Sequence, residues 1–158
     1  MSSAIDHRIE KTGLPVRSAV LKLYAGQLVL KWVTIWESWL LIVFAESIHG
    51  TLRQLFLAPL IGDFAARRIA FFVALLLIFL IACFFIRWIS APNVKSLFAI
   101  GLMWMILMTL FEFGLGHFVM NYSWERMFED YDLSRGGLMG FGLLFMIFAP
   151  WLAAKVRG

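Results

Sequence analysis

The stretch IAFFVALLLIFLIACFFI, residues 69–86, decides the fold of this chain. Its eighteen residues carry no charge, and Arg67, Arg68 and Arg87 flank it. The hydrocarbon core of a bilayer is about 30 Å thick, so a helix of about 20 apolar residues, rising about 1.5 Å per residue, crosses it. The stretch therefore predicts a membrane-spanning helix.

The composition of the whole chain agrees with a membrane protein. Of the 158 residues, 62% are hydrophobic and 15% are charged, whereas a soluble domain has about 25% charged residues. The net charge is +4, but the basic residues are scattered, which argues against a nucleic-acid partner. The single cysteine, Cys83, lies within an apolar run, so neither an intramolecular disulfide nor a cysteine-based metal motif is expected.

Three further apolar segments accompany this helix. The predicted spans cover residues 28–48, 69–88, 97–119 and 137–154, between an N-terminal tail, 1–27, and a short C-terminus, 155–158. The connections are short, so consecutive helices should be antiparallel. We therefore expect an all-α, polytopic membrane protein whose four transmembrane helices form an up-down-up-down bundle.

The basic residues predict how this bundle is oriented. With the N-terminus inside, nine Lys and Arg residues lie on the inner side and five lie on the outer side. Because cytoplasmic loops carry the excess of basic residues, both termini are expected in the cytoplasm.

Two segments outside the predicted spans have unusual patterns. Residues 14–27 alternate basic and apolar groups, and either lie as an amphipathic helix on the inner leaflet or form an unstructured tail. Residues 51–68 are more apolar than is usual for a connection exposed to water, and Pro59 and Gly62 interrupt the segment. We expect this outer loop to lie in the interface or to re-enter the bundle.

Polar side chains of the first and third predicted helices converge at the outer end of the bundle. Glu46, His49 and Arg53 follow each other at i, i+3 and i+7, so they share one helical face. Glu112 and His117 lie near the end of the third helix. An acidic side chain in hydrocarbon costs a few kcal/mol, about 2.5–3.5 for Asp. Each glutamate is therefore expected to be protonated, paired or facing a polar cavity.

We expect arginines of the outer side to pair with these glutamates. Such pairs either belong to a ligand-binding site or only fix the packing of the helices. Pairing with Arg53, Arg67 or Arg68 would lower the cost of burying Glu46 or Glu112. The candidate pocket for a ligand or ion comprises Glu46, His49, Arg53, Glu112, His117, Arg67 and Arg68.

A metal centre is a weaker hypothesis for the same residues. Glu46 and His49 have the Glu-x-x-His spacing of di-iron carboxylate sites. Glu112 and His117 are five residues apart and do not share a face well. Glu46, His49 and Glu112 are therefore only weak metal candidates, and neither a metal nor a cofactor is assigned.

The last connection, SWERMFEDYDLSRGG (123–137), predicts a short amphipathic helix that begins after Ser123. It is either an acidic, solvated loop or a lid over the pocket, or it docks another subunit. The residues that would act in the latter two roles are Trp124, Arg126, Asp130, Tyr131 and Arg135. Gly136 and Gly140 form a GxxxG pattern, which indicates close helix packing within the chain or with a second copy.

The segments HGTLRQLFLAPLIGDFAARR and FEFGLGHFVMNYSWERMFEDYDLSRGG resemble an uncharacterised family of small bacterial four-helix inner-membrane proteins. The resemblance covers residues 40–154. It implies a bacterial inner (plasma) membrane setting and supplies neither an activity nor catalytic residues.

These observations favour a non-enzymatic component of the lipid bilayer. It would act as an accessory or assembly subunit, in a homo-oligomer or a larger membrane complex, or handle a small solute or ion. The chain contains neither a GxSxG nor a Walker motif. The alternative is a membrane-embedded, metal-dependent enzyme acting on a lipid or quinone-like substrate.

Overall fold

The computed structural model describes residues 16–91, 93–135 and 137–157, and these residues form helices and short connections without a strand. The α-helices are α1 (Val16–Leu52), α2 (Ala58–Ile61), α3 (Asp63–Ile89), α4 (Val94–Gly114), α5 (Trp124–Glu129) and α6 (Met139–Arg157). A π-helical turn follows α1 (Arg53–Leu57) and another follows α4 (Leu115–Val119), and a 3₁₀ turn lies at Leu133–Arg135.

Four helical stretches are long and apolar enough to cross a membrane. They are Leu21–Ile61, Asp63–Ile89, Val94–Val119 and Met139–Arg157. The prediction of an all-α bundle of four spanning helices is confirmed. Each stretch begins or ends some residues away from its predicted limits, most of all the first.

The first helix is much longer than predicted. It begins at Val16 rather than near residue 28, so residues 16–27 continue α1 and do not form a separate element; residues 1–15 lie outside the described part. Lys31 Nζ donates to the carbonyl of Ser90, just beyond the end of α3, at 3.2 Å. Residues 21–30 are all exposed. The N-terminal part of α1 therefore extends beyond the end of the bundle marked by Ser90.

The prediction of a loop at residues 51–68 is wrong, because nearly all of this segment is helical. The chain stays helical through the π-helical turn and α2, and it reverses at Gly62, where φ is 83°. Pro59 lies in the first turn of α2, where the missing N–H costs no hydrogen bond. Gly62 tolerates the positive φ because it lacks a Cβ. A helical hairpin with a one-residue turn replaces the predicted loop.

The helices pack in the order α1, α3, α6, α4, and contact between α1 and α4 is slight. The backbones of α4 and α6 come close together at Gly101, where a Cβ would overlap the backbone of Ile147. The fully buried indole of Trp104 donates to the carbonyl of Ile35 at 3.4 Å and so bridges α4 and α1. At the end of the bundle opposite Lys31 and Ser90, the space between the four spanning helices is open. We call this the cavity end.

Candidate functional site

A cavity of about 420 Å³ opens at the cavity end, and all four spanning helices contribute to its wall. Its apolar part is lined by Phe71, Ala74, Ile78, Met108, Leu143 and Met146. Its ionisable part is lined by Glu46, His49, Arg53, Arg67, Glu112 and Asp130. The structure thus brings together five of the seven predicted pocket residues and adds Asp130 from the last connection.

The two glutamates reach the cavity from parallel helices. Glu46 lies in the last two turns of α1, and Glu112 lies in the last turn of α4. A π-helical turn follows each helix and begins at Arg53 and at Leu115, both of which line the cavity. Single π-helical turns are frequent at functional sites, since they shift the face on which the following residues lie.

Glu46 is bound to only one of its neighbours. Its Oε2 lies 3.3 Å from Nδ1 of His49, one turn further along α1. Its Oε1 is buried and has no hydrogen-bond partner among the described residues. A buried acceptor without a partner costs about 1–3 kcal/mol. Glu46 lines the cavity, so a group bound there is a candidate partner for its carboxyl.

Glu112 presents a second oxygen of the same kind. In the described part of the chain, Glu112 Oε2 is buried without a hydrogen-bond partner, and so is the hydroxyl of Tyr131. Burial raises the pKa of Tyr131, and the nearby charges of Glu112 and Asp130 and a hydrogen-bonding interaction with the Glu112 carboxyl raise it further. The Tyr131 hydroxyl is therefore a potential donor to Glu112.

The arginines pair with aspartates, which corrects the expectation that they pair with the glutamates. Arg67 Nε lies 2.7 Å from Asp63 Oδ2, and Arg67 Nη1 lies 2.8 Å from Asp130 Oδ1. Arg53 Nη1 lies 3.3 Å from Asp63 Oδ1. Asp63 precedes Arg67 by one helical turn, which places the two side chains on the same face of α3. The ion pairs thus form a bridge from the end of α1, through α3, to the last connection.

Two predicted pocket residues do not line the cavity. The guanidinium carbon of Arg68 lies 4.3 Å from the centre of the Phe64 ring. The His117 ring stacks on Trp124 with 4.6 Å between the ring centres. The π-helical turn that begins at Leu115 separates His117 from Glu112 and adds to the poor spacing already noted.

The last connection is built on an aromatic cluster around Phe113. Trp124 and Tyr131 stack on this ring, with ring centres 6.1 and 5.9 Å away, and Phe128 packs at 5.7 Å. The predicted N-cap at Ser123 is confirmed, since its hydroxyl accepts from the backbone N–H of Arg126 at 3.3 Å. The cluster fixes α5 against the end of α4.

Of the other lid and packing candidates, Arg126 and Gly140 do not line the cavity. Arg126 binds Glu129 at 2.7 Å, and this hydrogen bond raises the pKa of Arg126. The side chain of Arg135 and the whole of Gly136 lie outside the described part. Gly140 is exposed, and a Cβ there would meet only Tyr131, at 4.0 Å, within the described residues. Within the described chain, close packing between helices is found at Gly101, and packing of Gly140 against a second copy stays a prediction.

The weak metal candidates do not form a metal site. No group of three His, Cys, Asp or Glu side chains in the described ranges could hold a metal ion, so Glu46, His49 and Glu112 are not assembled for coordination. Asp63 is the site residue that the sequence interpretation missed. Its spacing of four from Arg67 is the signal that identifies it.

Comparison of the chain with protein-family models, with curated proteins and with solved structures found no match. The chemistry of the cavity is therefore the basis for assigning a function.

Proposed function

We propose that the protein is a membrane-embedded binding component that takes a small amphipathic molecule into the cavity between its helices. The volume suits such a ligand, because small-molecule sites usually measure about 300–1,000 Å³ and combine apolar walls with a few convergent polar groups. The observation that carries the proposal is the pair of buried, unpartnered carboxyl oxygens, Glu46 Oε1 and Glu112 Oε2, on residues that line this cavity.

The same proposal includes the setting of the protein. We infer that it lies in the inner membrane of a bacterium with both termini in the cytoplasm, so that the cavity opens near the outer face. The excess of Lys and Arg on the side of the termini supports this orientation. A ligand would then enter from the outer leaflet or from the space outside it.

Filling the cavity tests the binding function. A Cβ at Gly142, which lines the cavity, would meet no described atom within 4 Å, and the same holds at Gly26 on the extended part of α1. Gly142→Phe should therefore occupy the cavity without disturbing the backbone, while Gly26→Phe is the matched control. We expect native mass spectrometry of the gently extracted protein to show a co-purified small molecule in the wild type and in Gly26→Phe, and its loss in Gly142→Phe.

Two results would contradict this function. Equal retention of the small molecule by both variants would place it outside the cavity. A bare protein that is recovered in a fixed ratio with other membrane subunits, without any small molecule, would instead favour the accessory or assembly role.

A further inference from the structure

In the described part of the chain, the acidic side chains around the cavity fall into two groups, aspartates in ion pairs with arginine and two glutamates outside such pairs. The guanidinium groups of Arg53 and Arg67 are engaged with the carboxylates of Asp63 and Asp130. Within the part of the chain that the structure describes, neither Glu46 nor Glu112 is in an ion pair with Arg or Lys, and His49 is the single basic group bound to either. The cavity therefore offers carboxyl groups, and its arginines are already occupied.

The two unpartnered glutamate oxygens are suited to a positively charged hydrogen-bond donor. A carboxylate oxygen accepts hydrogen bonds and cannot donate one. Glu46 Oε1 and Glu112 Oε2 are both buried and come from two helices on the wall of one cavity. A hydrogen bond between a cationic nitrogen and a carboxylate is about twice as strong as a bond between neutral groups. An anionic head group would find no free cation beside these oxygens in the described residues.

The rest of the wall argues against a small inorganic cation as the occupant. A hard cation such as Ca²⁺ takes six to eight oxygen ligands, and no third acidic or histidine side chain in the described ranges joins Glu46 and Glu112 in a coordinating group. The apolar part of the wall includes Ile78, Met108 and Met146. Apolar atoms next to a carboxyl pair suit an organic cation that carries a hydrocarbon chain.

We propose that the cavity selects a protonated amine attached to an apolar chain, with the nitrogen held between Glu46 and Glu112 and the chain packed against Ile78, Met108 and Met146. This inference rests on the proposed binding function and adds the charge and the chemical class of the ligand. The amine belongs either to a free alkylamine or to the head group of an aminophospholipid, since both present the same group.

A series of probes that differ only in the head group tests the selectivity. The wild-type protein in phosphatidylcholine nanodiscs is titrated with decylamine, decanol and decanoate, and the bound fraction is measured by native mass spectrometry. We expect decylamine to bind about tenfold more tightly than decanol, because it adds a charge-assisted bond. Decanoate should bind most weakly.

Charge-neutralising variants connect this selectivity to the two glutamates. Glu46→Gln and Glu112→Gln should each reduce the preference for decylamine about tenfold. Glu37→Gln, an exposed position on α1 outside the cavity wall, is the matched control and should keep the preference. Glu112→Asp retains the charge, so its preference for decylamine over decanol should exceed that of Glu112→Gln even if both variants are less stable.

The outcomes separate the two proposals. If decanol and decanoate bind as well as decylamine, and Gly142→Phe blocks all three, the cavity binds amphiphiles but the selection of a cation is wrong. If none of the probes binds in a way that Gly142→Phe blocks, the binding function itself is wrong. Competition by phosphatidylethanolamine nanodiscs would assign the amine to a lipid head group, and unchanged decylamine binding there would assign it to a free amine.

Discussion

Gly101 holds α4 and α6 at a distance that no other residue type permits without a shift. A Cβ at this position would overlap the backbone of Ile147, and a backbone cannot move aside as a flexible side chain can. We therefore expect Gly101→Ala to destabilise the bundle by about 1–3 kcal/mol, the usual cost of overpacking. The measurement is the midpoint of thermal unfolding in detergent.

Gly114 on the same helix provides the matched control for this substitution. A Cβ there would meet no described atom within 4 Å. Gly114→Ala should be neutral or stabilising by about 0.5–1 kcal/mol, because alanine favours helix more than glycine does. A similar loss of stability in both variants would show that the Gly101 contact does not control the packing.

At the scale of single residues, the sequence predicted which side chains lie at the site better than it predicted which residues they pair with. Glu46 and Glu112 were expected at one end of the bundle because helical spacing and antiparallel topology follow from local pattern. Their expected arginine partners were wrong, because the position of Asp63 depends on the sharp turn at Gly62. The sequence indicated a long loop there. Such a loop would not have determined in which direction the side chains of Asp63 and Arg67 face.

An ion pair between Arg67 of α3 and Asp130, at the end of the short helix α5, ties the two elements together. This pair is partly exposed, and such pairs contribute about 1 kcal/mol or less. We expect Arg67→Met to increase hydrogen exchange in residues 124–135 by about fivefold or less, the equivalent of that free energy. The aromatic cluster on Phe113 should keep α5 folded.

The neighbouring Arg68 is the control for this element. Its guanidinium group lies over the Phe64 ring. Arg68 does not line the cavity, and the ion pair with Asp130 is made by Arg67. Arg68→Met should leave exchange in residues 124–135 unchanged. An equal increase in both variants would indicate a general effect of losing a positive charge, and the tether from Arg67 to Asp130 would be wrong.

The existence of the spanning helices was predictable, but their ends were not. Continuous hydrophobicity identifies a helix in a membrane without reference to its partners. The first span was predicted over residues 28–48, but α1 extends beyond both limits, because hydrophobicity does not mark where a helix begins or ends. Pro59 was interpreted as a break, but in the first turn of α2 it is compatible with helix.

The orientation of the whole molecule in the membrane is open to direct labelling. Ser134 is exposed in the last connection, at the cavity end. In a Cys83→Ala background, we expect Ser134→Cys to react with a membrane-impermeant maleimide added outside intact cells. As the control, Leu23→Cys on the extended part of α1 should react only after the cells are opened. The reverse pattern would invert the proposed orientation.

The N-terminal part of α1 extends beyond the bundle as a helical arm. The fifteen residues from Val16 to Leu30 precede the contact of Lys31 with Ser90, and at about 1.5 Å per residue they form an arm of about 22 Å. Because a helix is stiff over this length, a tilt of ~10° about that contact would displace the tip of the arm by ~4 Å. A movement of α1 at the cavity, about as far from that contact on the other side, would therefore appear at the opposite end as a displacement of similar size.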